Sequence, residues 1–303
     1  MVKRKWLILP VLLASCTTDV TTPAEVVSTT TTTVVPTTTA VSTTTTTVAS
    51  TTSTTTIPEV WRRRIVAVGD MVCSSSSTAM CVHEDTALLA ELVNPDAVLA
   101  LGDLQYENGS YDAFMGMYDL SWGKLKHITY PVPGNHEYYT GLAAGYADYF
   151  GLSQFYYAFD MGMWRLIALD SEVVTDDQTE FLGNRLKDAT DCVIAYWHRP
   201  RYSSGVHGNY SGVAPFVDLL PEGAIVLSGH DHHYERDTVD GITHFVVGTG
   251  GKSLRAVGQS DSEFVYDESA GILVIDLYEG WYSWAFVTTT GLYLDTGRGE
   301  CAP

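Results

Sequence analysis

The chain has 303 residues, 36 of them acidic and 17 basic, for a formal net charge of −19. That balance excludes nucleic acid or another extended polyanion as the natural partner, because most of the surface would repel it. It leaves room for a small anion captured by local positive charge, which a bound metal supplies.

The chain opens on MVKRKWLILPVLLASC. Lys3, Arg4 and Lys5 form a basic n-region, and Trp6 to Ala14 form an apolar h-region too short to span a bilayer. Residues 1–15 read as an export signal. Its end, Leu13-Ala14-Ser15-Cys16, is not an A-x-A site and resembles a bacterial lipoprotein box, in which Cys16 becomes the lipidated first residue. The simpler alternative is an ordinary signal peptide beside a chance cysteine. Residues 17–58 are almost entirely Thr, Val, Ser, Ala and Pro. Such a tract cannot bury enough apolar surface to offset the cost of ordering it. Residues 16–58 are therefore expected to be a lipid-anchored Thr-rich linker, and residues 59–303 a single globular domain. The expected location is the outer face of the bacterial cell membrane.

Beyond Cys16 stand Cys73, Cys81, Cys192 and Cys301, an even count that suggests disulfides in an exported chain. Of the three pairings, Cys73–Cys81 with Cys192–Cys301 is preferred. The first closes a loop and the second fastens the C-terminus. Reduced core cysteines are one alternative. Cys73 as a metal ligand, three residues after Asp70, is another.

Short apolar runs recur, and each ends on a polar or glycine signal. RIVAVGD ends at Asp70, DAVLALGD at Asp103, ITYPVPGN at Asn135, CVIAYWH at His198 and AIVLSGH at His230. Three of the four intervals between these ends are 32 or 33 residues, the length of a strand, crossover helix and next strand. The longer interval, from Asn135 to His198, holds a hairpin in FYYAFDMGMWRLIALDS that turns near Met161-Gly162. It also holds a helix in TDDQTEFLGNRLKDA, with Thr175 as N-cap and Gln178 three residues on. STAMCVHEDTALLAELV and SYDAFMGMYDLSWGKL have helical apolar spacing. After Asp237, THFVVGTGG, GILVIDLYEG and WYSWAFVTTTG read as successive strands. The fold class is α/β, a mixed β-sandwich flanked by helices and built from βαβαβ units.

Ligand-type residues thus stand at the carboxyl ends of five strands, the edge where α/β sheets bind ligands. Carboxylate, amide oxygen, imidazole and phenolate suit manganese, iron or zinc. Glycine before the ligand is expected to let the backbone turn sharply where the strand stops. An Asp flanked by two donor sets can bridge two ions about 3.5–4 Å apart.

The ordered set Asp70, GDLQY (Gly102–Tyr106), GNHE (Gly134–Glu137), AYWH ending at His198 and GHDH (Gly229–His232) resembles the calcineurin-like metallophosphoesterases. Within them it is most similar to the purple acid phosphatase type. The resemblance implies that Asp70, Asp103, Tyr106 and His232 bind one metal. It implies that Asp103, Asn135, His198 and His230 bind a second. Many relatives carry D-x-H in the first motif; here Val72 stands in place of that His, with Tyr106 as the substitute. A phenolate ligand favours ferric iron, so the implied pair is Fe(III) with a divalent zinc, manganese or iron. The implied reaction is cleavage of a small phosphate monoester by a metal-bound hydroxide, in a monomer. His136 is implied to hold phosphate and protonate the leaving group. His207 resembles a second outer-sphere histidine. Arg199 and Arg201 read either as charge beside the phosphate or as solvated loop residues. His83, His127, His233 and His244 match no ligand position and are expected at the surface or satisfied in the core. GTGGK, from Gly248 to Lys252, lacks phosphate-loop spacing and reads as a tight turn near the site. A phosphodiesterase on the same scaffold, and a non-catalytic tethered binding protein, are the rival functions. Replacement of Cys16 by Ser is expected to shift the expressed protein from the membrane fraction to the soluble one; retention at the membrane would refute the anchor.

Overall fold

The computed structural model describes residues 62–74, 81–187 and 192–301. The export segment, Cys16 and the Thr-rich tract lie outside the described residues. In chain order the strands are β1 (Arg63–Val68), β2 (Ala97–Leu101), β3 (Thr129–Val132), β4 (Tyr157–Met161), β5 (Trp164–Ala168) and β6 (Cys192–Tyr196). They continue with β7 (Ile225–Ser228), β8 (Tyr234–Val239), β9 (Ile242–Val247), β10 (Phe264–Tyr266), β11 (Gly271–Leu277), β12 (Trp281–Thr288) and β13 (Tyr293–Glu300). They form two mixed sheets, ordered β13-β12-β11-β1-β2-β3 and β10-β8-β9-β7-β6-β5-β4.

The central strands read as unbroken apolar runs because both their faces are buried. Ile65 and Ala67 of β1, Leu99 and Leu101 of β2, Ile194 and Tyr196 of β6, and Ile225 and Leu227 of β7 meet in one core between the sheets. The alternate residues Val66, Val68, Val98 and Ala100 face outward onto helices, with Ala87, Ala90, Phe114 and Trp122. On the second sheet, Val193, Ala195 and Val226 pack against Leu182, Val213 and Phe216. The result is four layers, helix on sheet on sheet on helix. β1, β2 and β3 run parallel, as do β5, β6, β7 and β9. Both parallel sets therefore present their carboxyl ends as expected from the five motifs.

The β4–β5 hairpin turns at Gly162 as expected. The helix Asp176–Lys187 begins where predicted, and Gln178 N donates to Thr175 Oγ1 at 3.4 Å. The Gln178 side chain does not return to Thr175. It bonds Asp170 N, Asp170 O and Val173 O, tying the helix to the end of β5. Of the helix read from Ser77 to Val93, residues 77–80 lie outside the described residues, and the described part is helical over His83–Val93. A second helical expectation is corrected. The segment 110–125 is a broken path, with a turn at Tyr111–Ala113, a wide π-type turn at Phe114–Tyr118 and a 3₁₀ stretch at Trp122–Ile128. Asp119 N donates to Phe114 O, and that wider turn brings Phe114 and Tyr118 onto Tyr149 and Phe150.

β8, β10 and β13 escaped the sequence reading. β13 carries Gly297 and Gly299, which signal a turn. Both face aromatic rings of β12, where a Cβ would fall 2.2 Å from Trp284 and 2.5 Å from Tyr282. The glycines make room for rings that cover the strand. The disulfides pair Cys73 with Cys81 and Cys192 with Cys301, the preferred arrangement.

Candidate metal centre

The five strand ends converge although they belong to different sheets: β1, β2 and β3 come from one, β6 and β7 from the other. Hydrogen bonds lace the ends together. Asp70 N donates to Gly102 O, Gly229 N to His198 O, and Gly69 N to Val247 O. Close approach is the reason for two glycines. A Cβ on Gly134 would lie 2.2 Å from Asp103 Oδ1, and one on Gly102 would lie 2.6 Å from His198 Nδ1. The expected role of glycine is corrected here. The positive φ values fall on Asp70 (57°), Asp103 (50°) and His230 (71°), the donor residues themselves, and among the preceding glycines only on Gly102. Such backbone is costly for a residue with a Cβ and collects at functional sites.

Asp70, Asp103, His198, His230 and His232 are all at least nine-tenths buried. The Tyr106 hydroxyl donates to Asp70 Oδ1 at 2.8 Å and lies 3.1 Å from Asp103 Oδ2 and 3.2 Å from His232 Nε2. His198 Nε2 is 3.4 Å from Asp103 Oδ2 and 3.1 Å from His230 Nδ1. Asp103, His198 and His230 each offer one donor atom within 4.8 Å of the others. His198 Nδ1–H donates to Leu101 O at 2.8 Å, and His232 Nδ1–H to Ser253 O at 2.9 Å. Both rings are thereby oriented with Nε2 toward the carboxylates, as ligand histidines commonly are.

Asn135 adds a direct sign of fit. Its Oδ1 is buried without a hydrogen-bond partner, an expensive state for an amide oxygen. Its chain neighbours both abut Asp103, and His136 N donates to Asp103 Oδ1 at 2.9 Å. A cation held beside Asp103 gives that oxygen a partner. The donors present, two carboxylates, one phenol, one amide oxygen and three imidazoles, fit a pair of hard or borderline cations.

The electrostatics ask for positive charge. Burial raises the Asp103 carboxyl, but His198 and His136 outweigh it and hold it below the usual carboxylate range. Burial opposes charge on His198, yet Asp103 and Asp70 push its pKa up to about 10. Burial, His198 and Arg199 push His230 down to about 2. Tyr106 is raised by burial, then by Asp103 and Asp70.

Residues the sequence reading missed support the ligand loops. Glu137 is fully buried and accepts from Gly134 N at 2.7 Å, Asp103 N and Leu104 N at 2.9 Å, and Gln105 N at 3.2 Å. One carboxylate thus sews the β2 and β3 ends together. Burial and Asp103 push it up to about 8, against the pull of the Gly134 and Gln105 N–H donors, which favour the ionised form. Its sequence signal was the acid three residues after Gly134. Glu172 holds the Arg199 guanidinium at 2.8–3.0 Å, and Arg199 Nη1 reaches His230 Nε2 at 3.0 Å, so Arg199 is not a solvated loop residue. Arg201 lies over the Tyr202 ring. The His207 ring stacks on His230 at 4.2 Å, at the edge of the cluster. His136 Nδ1–H donates to Glu107 O at 2.6 Å and its Nε2 faces Asp103 Oδ2 at 3.8 Å. GTGGK is a turn against the site, with Lys252 N donating to Asp70 O. Of the other histidines, His127 is exposed, His83 lies 3.0 Å from Cys81 Sγ and His233 bonds Glu235. His244 departs from expectation, buried with Nε2 unsatisfied.

Two facing mixed sheets with buried carboxylates and imidazoles crowded on one shared edge define a metal-dependent phosphoesterase scaffold. The sequence model described as calcineurin-like phosphoesterase matches residues 63–234, and the chain belongs to that family. Solved structures agree in fold. The purple acid phosphatase PPD1 of yellow lupin (Lupinus luteus) superposes with a TM-score of 0.65 at 19% identity, covering 80% of this chain and 54% of that one. The chain thus spans about half the length of the lupin enzyme. GAP50, the anchor in the inner membrane complex of Plasmodium, gives 0.61 at 17% identity, with 80% and 90% covered. PhoD gives 0.53 at 12%, with 79% and 68% covered. No curated protein sequence matches the chain significantly.

Replacing Glu137 by Ala strands four backbone donors that fix two ligand loops. The variant is expected to bind zinc about 10–100-fold more weakly in calorimetric titration, with lowered thermal stability.

Proposed function

We propose that the chain hydrolyses small phosphate monoesters in the manner of a purple acid phosphatase, with Fe(III) beside a divalent zinc, manganese or iron. The observation that carries this reading is the buried meeting of Asp70, Asp103, Tyr106, His198, His230 and His232, with an unpartnered amide oxygen on Asn135. Asp70, Tyr106 and His232 would hold one cation, Asn135, His198 and His230 the other, and Asp103 both. Two bound cations supply Lewis acidity toward the phosphoryl group and toward water.

His136 carries the proton. Its Nδ1–H is committed to Glu107 O, so the proton that moves sits on Nε2. Its ring is braced by Tyr106 at 4.3 Å and Tyr139 at 4.9 Å, which fixes where that proton is delivered. Direct attack by water fits the rest of the site. The described cysteines are paired, and the hydroxyls of Ser203 and Ser204 donate to Asp231 and Glu235 rather than to a histidine base. The lipid anchor on Cys16 and the Thr-rich tether belong to the same proposal, supported by the n-region, h-region and tract composition.

Hydrolysis of p-nitrophenyl phosphate by the metal-loaded protein is expected, with loss on chelation and in His198→Ala. Activity that survives both would refute the metal mechanism, and a higher rate on bis-p-nitrophenyl phosphate would favour the diesterase. His136→Ala is expected to slow an alkyl phosphate by about 10²–10⁴-fold and the activated aryl ester much less, since a nitrophenolate leaves without a proton. Equal losses on both esters would remove His136 as the acid. Iron-loaded protein is expected to absorb in the visible through a Tyr106 charge-transfer band. Tyr106→Phe should abolish that band, and its persistence would remove Tyr106 as a ligand.

A further inference from the structure

Three basic side chains stand on the rim of the metal centre, and their partners differ. Arg199 is held by both oxygens of Glu172. Lys252 donates to Glu107 Oε1 at 2.6 Å and sits over the Tyr106 ring. Arg255 has an imidazole rather than a carboxylate as partner, with Nη1 2.6 Å from His207 Nε2. An imidazole carries no negative charge in any protonation state, so it takes the hydrogen bond without cancelling the charge. No carboxylate among the described residues forms an ion pair with Arg255. In a chain of net charge −19, a basic group left uncompensated beside a reaction centre is a local reversal of the field.

The placement of Arg255 is built. Three hydrogen bonds, two of them backbone to backbone, tether its segment to the ligand loops: Lys252 N to Asp70 O, Arg255 N to His232 O, and His232 Nδ1 to Ser253 O. His207 does not need Arg255 to hold it. Its N–H donates to Asp231 Oδ1, its ring rests on His230, and the same loop is fastened by Ser203 Oγ to Asp231 and Ser204 to Glu235. Arg255 therefore stands one imidazole farther out than the Asp103–His198–His230 cluster. It is exposed, with its charge uncompensated.

We propose that Arg255 is a specificity-determining residue that receives a second anionic group of the substrate. The preferred substrates are small phosphate esters that carry a carboxylate or a further phosphate a few bonds from the scissile one. The proposal rests on the monoesterase reading and deepens it. Phosphoryl oxygens bound at the metal centre leave Arg255 to the remote part of the ester, and a guanidinium fork matches a carboxylate or phosphate edge.

The test compares glycerol 3-phosphate with 3-phosphoglycerate, which differ by a hydroxymethyl group replaced by a carboxylate. Metal-loaded full-length protein is expected to prefer the carboxylate in kcat/KM. Arg255→Gln keeps a donor for His207 and removes the charge. It is expected to cut the preference about tenfold, chiefly through KM, as one charge-assisted hydrogen-bonded pair would. Arg255→Glu should cut it further, and Arg255→Lys should keep most of it. A ratio that stays constant, or equal losses on both esters, overturns the proposal. If wild-type protein turns over neither ester, the monoesterase reading fails instead. The ratio of the two dissociation constants in wild type and Arg255→Gln, read by calorimetry, then decides the role of Arg255.

Discussion

The structure turns on two buried carboxylates. Asp70 and Asp103 end neighbouring parallel strands, both on left-handed backbone, and share the hydroxyl of Tyr106. Neither carboxylate can be solvated by bulk water, and no arginine or lysine side chain bonds either one among the described residues. Burying two such charges is costly unless counter-charge is supplied on the spot. His198, His230 and His232 stand around them, and the chain's oriented donors and acceptors form a cage whose balance calls for cations. The neighbourhood serves that need. Glu137 fixes the loops from one side, and backbone carbonyls fix the imidazoles from the other.

A second tier surrounds the cage and is made of pairs. Glu172 with Arg199, Glu107 with Lys252, Asp231 with Ser203, and Glu235 with Ser204 and His233 hold the loops that rise around the mouth. In the stretch GHDHHYE, Asp231 lies between the two ligand histidines and Glu235 follows three residues after the second. One short segment thus supplies His230 and His232 to the cage and two acids to the loop opposite. Burial works against the charge on Glu235, but His233, Ser262 and Ser204 outweigh it and hold its carboxyl down to about 2.

The parts legible in the sequence were those written in short-range signals. Apolar runs that stop at GD, GN, H or GH gave β1, β2, β3, β6 and β7, because strands buried on both faces allow little else. The order of the five motifs pointed to one rim. The structure brings Asp70, Asp103, Tyr106, His198, His230 and His232 together there, with Asn135 alongside. What stayed hidden depended on partners distant in sequence. Gly297 and Gly299 look like turn residues until Trp284 and Tyr282 are seen to cover them. Ser110 to Leu125 keeps a helical rhythm of apolar residues, yet packing of Phe114 and Tyr118 on Tyr149 and Phe150 takes a wider turn than an α-helix gives. Glu137 and Glu172 are ordinary acids by composition, and only their donors, about 30 residues away, reveal their work.

The Cys192–Cys301 bond joins the start of β6 to the residue after β13, and so ties one sheet to the other. β6 ends at Tyr196, two residues before His198. The covalent link therefore lies at the opposite end of that strand from the cage. The sandwich is built like a bound book, with sulfur stitching along the spine and the cage as a clasp on the open edge. Cations held in the clasp would add a second link between the two sheets at the fore-edge, at the far end of β6 from the sewn spine.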